Sequence, residues 1–82
     1  MPQIRLSELK PGQKCSVHQI LTTGSTLRRL LDIGLIENTE VECVGKSPFG
    51  DPHAFFIRGT TIAIRQLDSR NIIVMEKENA HG

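Results

Sequence analysis

The sequence predicts a mainly β fold, a small barrel of about five short strands with one short α-helix. Three observations carry this reading. Apolar and polar residues alternate in short runs, as at Glu40-Val41-Glu42-Cys43, which is the period of a half-buried strand. Gly, Pro, Asn and Asp punctuate the chain between those runs, where turns need them. One segment alone has helical spacing, with Leu27, Leu30 and Leu31 at i, i+3 and i+4.

The elements follow in order. Ser7 to Leu9 reads as a helical turn anchored by Leu6 and Leu9, and Lys10 to Gln13 as a turn. Lys14 to Leu21 is the first strand, and its alternation breaks near His18-Gln19, the mark of a bulge. The helix runs from about Thr26 to Ile33. Ser25 or Thr26 caps its start, since a hydroxyl accepts a bond from an orphan N–H. Gly34 ends it in the left-handed conformation, and Leu35 folds back on Leu30. Leu27, Leu30 and Leu31 face the barrel, leaving Arg28, Arg29 and Asp32 outward.

Thr39 to Lys46 is the second strand and Ser47 to Pro52 a loop with two prolines and a glycine. Ala54 to Arg58 is the third strand, Gly59-Thr60 a tight hairpin turn and Thr61 to Arg65 the fourth strand, with Ile62 and Ile64 inward. Gln66 to Ser69 is a single helical turn, and Asn71 to Met75 a β-branched fifth strand. Residues 1–75 form one domain, and 76–82 a polar, frayed tail.

Composition narrows the function. The formal net charge is +1, with nine acidic residues offsetting the arginines, so a nucleic-acid surface is not expected. The absence of Tyr and Trp argues against an aromatic groove for proline-rich peptides. No phosphate loop, catalytic triad or zinc motif appears, which points away from an enzyme. Cys15 and Cys43 lie in apolar runs and read as buried, reduced thiols. Cys15 and His18 face opposite sides of a strand unless a bulge intervenes. Asp51 and His53 make only a two-ligand pair, read as a loop-capping aspartate and a surface histidine. Neither a metal site nor a cofactor is expected. No apolar run approaches the roughly 20 residues of a membrane span and no leader precedes Ile4, so the expectation is a soluble, cytoplasmic protein without membrane insertion.

Several motifs occur in one order: Leu6-x-x-Leu9-x-x-Gly12, Arg29-Leu30-Leu31-Asp32-Ile33-Gly34-Leu35, Pro48-Phe49-Gly50-Asp51-Pro52, and Arg58-Gly59 followed by Thr61-Ile62-Ala63-Ile64-Arg65. In that order and spacing, from about Ile4 to Val74, the chain resembles the FeoA family, the small cytosolic component of bacterial ferrous iron uptake. It departs at Glu37-Asn38-Thr39, where the family usually shows Pro-Gly-Thr; Asn38 keeps the turn because Asn tolerates a positive φ. The resemblance implies an SH3-like barrel, a non-enzymatic regulatory role, and association with FeoB, the membrane transporter with a GTPase domain. It also implies kinship with a module of metal-dependent transcriptional repressors. The expected partner-binding residues are Arg28, Arg29 and Asp32 on the helix and Phe49 and Asp51 on the proline loop. Two other readings stand beside this one: a transition-metal-sensing module that binds a metal and a regulator, and a barrel that forms a homo-oligomer through an open edge.

Overall fold

A computed structural model describes residues 3–76. It shows a six-stranded antiparallel sheet in the order β1-β6-β2-β3-β4-β5. The strands are β1 (Gln3–Arg5), β2 (Lys14–Ile20), β3 (Glu40–Lys46), β4 (His53–Ile57), β5 (Thr60–Ile64) and β6 (Ile72–Glu76). Helix α1 spans Gly24–Asp32 and the four-residue α2 spans Gln66–Ser69. A 3₁₀ turn occupies Leu6–Glu8.

The fold matches the expected class, with one strand more than the sequence suggests. β1 pairs with β6 from Gln3↔Met75 to Arg5↔Ile73. Three residues are too few to show alternation, so tertiary pairing alone reveals this strand. β6 also runs one residue further, to Glu76, and the expected tail beyond it lies outside the described residues. The bulge expected at His18-Gln19 is present, as a register shift between Val17 and Gln19. A second lies between Cys43 and Gly45, where the adjacent apolar Cys43-Val44 and the following glycine interrupt the alternation, a signal the sequence reading passed over.

The core is one cluster. Leu6 and Leu9 enter it from the 3₁₀ turn, Cys15 and Val17 from β2, Val41 and Cys43 from β3, Phe55 and Ile57 from β4, and Ile72 and Val74 from β6. Burial follows strand parity, so Phe55 is inside while its neighbour Phe56 is 42% exposed. The β4–β5 hairpin turns at Arg58-Gly59, one residue earlier than expected, because Ile57 already pairs with Thr60. Both turn residues have positive φ (49° and 84°), the conformation of a two-residue hairpin whose twist matches its strands.

Candidate partner-docking surfaces

Helix α1 is fastened at its C-terminal end. Gly34, at φ 93°, donates its N–H to Leu31 O (3.0 Å), and Leu35 donates to Leu30 O (2.9 Å). This is the paired bond of a Schellman stop, and it carries Leu30 and Leu35 into the core together. Thr39 Oγ1 locks the following turn, accepting from Ile36 N–H (3.1 Å) and donating to Gly34 O (3.1 Å). Asn38 takes the expected positive φ, 72°. The Arg58 side chain lies directly over Gly34, so closely that a Cβ there would overlap its Cδ.

Two expectations for this helix need correction. Its N-cap is Thr23, which makes no side-chain capping bond, rather than Ser25 or Thr26. Of the three leucines only Leu30 is buried. Leu27 is half-buried and Leu31 is 46% exposed. The turn after Gly34 brings Ile36 alongside, so Leu27 and Leu31 line a shallow groove with Ile20 and Ile36 instead of sealing the core. Arg28, Arg29 and Asp32 are exposed, as expected.

The 47–52 loop is held by polar bonds. Ser47 Oγ donates to Asp51 O (2.9 Å) and accepts from Asp51 N–H (3.0 Å). Gly50 N–H donates to Ser47 O (2.8 Å), and Ser47 N–H to Pro52 O (3.2 Å). The Asp51-Pro52 bond is cis. One residue from α2 then ties the loop down. Gln66 donates its backbone N–H to Asp51 Oδ1 (2.9 Å) and its side-chain Nε2 to Gly50 O (2.8 Å). That same Nε2 lies 3.2 Å from His53 Nε2. An amide nitrogen only donates, so His53 Nε2 is the acceptor in this contact. Phe49, at the tip, is 94% exposed.

His53 is not the surface residue the sequence suggests. It is the first residue of β4, opposite Ile64, and is 2% exposed. Asp51 is a capping aspartate as expected, and the group it caps is the distant N-terminus of α2. Cys15 is buried while His18 is exposed, so the bulge does not bring them together. Among the described residues no three His, Cys, Asp or Glu side chains gather closely enough to hold a metal ion. Burial pushes the Cys43 thiol above its ordinary range, against the lowering effects of the Gly45 backbone and the Lys46 charge. No helix of the described residues is long and apolar enough to cross a membrane.

The expected contact residues form two patches. α1 ends against Arg58, after β4, whereas the Phe49 loop precedes β4. The length of that five-residue strand, roughly 13 Å, separates them. Sequence reasoning passed over a third feature, a cleft of about 420 Å³ lined by Lys14, Glu42, Phe56 and Arg58 among others. The parity that buried Phe55 was the signal for an outward Phe56.

The FeoA domain model matches residues 4–76. No curated protein matches the sequence. Among solved structures, the chain is similar to a FeoA-like protein from Clostridium acetobutylicum at 29% identity and TM-score 0.86, covering 100% of this chain and 95% of that one. It is similar to Stenotrophomonas maltophilia FeoA, an SH3 domain protein solved in complex with zinc, at 27% identity and TM-score 0.74, covering 87% and 88%. T. acidophilum IdeR shares the fold at TM-score 0.82 and 19% identity, covering 94% of this chain and 35% of that one.

Proposed function

The chain belongs to the FeoA family, whose members are small accessory domains linked to ferrous iron transport, and from that premise we propose that it docks on the cytoplasmic part of a FeoB-like transporter. It acts there without catalysis of its own, biasing the transporter's nucleotide cycle or assembly. The observation that carries this reading is Phe49, almost fully exposed on a loop whose bends are fastened by Ser47, Asp51 and Gln66. An aromatic held rigidly in solvent loses little entropy on binding, and aromatic and arginine side chains dominate interface energetics. Asp51 stands beside it, and Arg28, Arg29 and Asp32 offer a second contact on α1. The protein works in the cytoplasm in this reading, and needs no resident metal.

The double substitution Arg29→Glu with Phe49→Ala tests the proposal. Both side chains are exposed, so the fold should survive while co-purification with the transporter is lost. A folded double mutant that binds like the parent overturns it. GTP hydrolysis by the transporter, measured with and without the protein, tests the regulatory half; equal rates would limit the role to assembly.

A further inference from the structure

The two edges of the sheet differ. β1 offers three residues. β5 offers five, in unbroken register with β4 from Ile57↔Thr60 to His53↔Ile64. Its sequence, Thr60 to Ile64, contains no proline, lysine or bulge, the devices by which edge strands ordinarily refuse a neighbour.

The hairpin decides which backbone groups of β5 are unused. A two-residue turn at Arg58-Gly59 closes on Ile57 and Thr60 as a hydrogen-bonded pair. Bonded and non-bonded pairs alternate along an antiparallel ladder. Thr60, Ile62 and Ile64 therefore bond to β4, and the N–H and C=O groups of Thr61 and Ala63 point away from it. Thr61 and Ala63 are exposed, and among the described residues no strand pairs with β5 on that side.

Charge selects what fits. Arg58 precedes the strand and Arg65 follows it. A second copy paired antiparallel, with Thr61 opposite Ala63, would set each Arg65 beside the other copy's Arg58, like charges at both ends. A strand with carboxylates at its ends meets the opposite pattern. Its central residue would stand beside Ile62, which is half-buried against the core, so an apolar β-branched residue suits that position.

We propose that the open edge of β5 takes up an extended segment of a partner protein by strand addition, a segment with a β-branched centre and acidic residues at both ends. The backbone of Thr61 and Ala63 supplies the hydrogen bonds, Arg58 and Arg65 the charge selection. Because an arginine brackets each end of the strand, entry in either direction meets the same pair of side chains. This surface shares Arg58 with the root of α1, is separate from the Phe49 loop, and stands independently of the transporter reading.

The test uses the full chain and a blocked synthetic peptide, Glu-Thr-Val-Thr-Glu, whose central valine falls beside Ile62, followed by amide hydrogen exchange. At saturation the Thr61 and Ala63 amides should slow by about tenfold or more, while those of Ile62 and Ile64, already bonded to β4, change little. Ala63→Pro removes an outward N–H without touching the β4 ladder and should abolish the protection. The peptide Lys-Thr-Val-Thr-Lys should bind at least about tenfold more weakly, which keeps the test decisive should the proline variant not fold. Absence of protection at millimolar peptide overturns the proposal, as does equal binding of the lysine peptide. Protection of Thr61 and Ala63 in the free chain also overturns it: if it grows with protein concentration a second copy holds the edge, and if it is constant the chain's own terminal residues do.

Discussion

The two ends of β4 are held by different physics. Beyond its C-terminal end, the α1 stop is fastened by backbone bonds and by leucines pulled into the core. Before its N-terminal end, the Phe49 loop is fastened by polar bonds that converge on one residue, Gln66, through its backbone N–H and its side-chain amide. Burial stabilises the first by excluding water, so its strength grows with apolar area. The second consists of exposed hydrogen bonds, each of modest net value because water competes for the same groups. The first end therefore serves as framework. The second presents a feature without supporting the rest of the molecule.

The sharpest way to break this contrast is to attack the framework end. Leu35→Ala should lower the unfolding free energy by about 3 kcal/mol through lost burial and a residual cavity, read as a drop in the denaturation midpoint. Gly34→Val should cost about 2 kcal/mol, since a β-branched residue is strained at positive φ. The overlap with Arg58 sharpens the point. Gly34→Ala should cost less in an Arg58→Ala background than in the parent, by about 0.5 kcal/mol or more, and strict additivity would mean the arginine stem simply steps aside.

At the loop end, Gln66→Ala should cost only about 1 kcal/mol globally, while the Gly50 and Asp51 amides exchange faster. An equal rise in exchange across the core strands would show that the loop supports the fold after all. Cys43 offers a gentler probe. Its thiol is pushed up by burial in the folded state, so the unfolded chain ionises first. Stability should be level below the ordinary thiol range, near about pH 8.5, and fall as the pH rises beyond it. In Cys43→Ala that alkaline decline should shrink. Phe49→Ala is the smallest perturbation, within about 0.5 kcal/mol, and a larger loss would mean that Phe49 packs on something.

The same contrast explains what was legible in the sequence. The α1 stop is local: Gly34, Leu35 and Asn38 carry their conformations in their chemistry, and each appears where expected. The bulge in β2 was visible because it interrupts a run of alternation. The loop's fastening was hidden, because Gln66 lies 16 residues from Gly50 and a glutamine carries no conformational signature. His53 was misread for a related reason. Flanked by proline and loop residues, it looks exposed, and only its pairing opposite Ile64 shows that it opens an inward-facing row. Leu31 was misplaced because periodicity gives the direction of a helix face but not the width of the surface waiting to receive it. The candidate contacts were legible as exposed side chains, but their separation was not, since it depends on which end of β4 each element meets.

The unequal fastening of the two ends of α1, the first held through Leu21 N–H on Asn71 O and the buried Thr22 before it, has a mechanical consequence. Its first residues, Gly24 and Ser25, are exposed and uncapped by any side chain, while its last turn is clamped between the core and Arg58. The helix is a cantilever. Fluctuations that open it begin at the free tip and die away toward the clamp, so amide opening should become rarer residue by residue from Ser25 to Leu30. Arg28 rides nearer the moving tip and Arg29 one step nearer the root. Any force applied to the tip is delivered through the root to Gly34, and from there to the β4–β5 hairpin through the side chain resting on it.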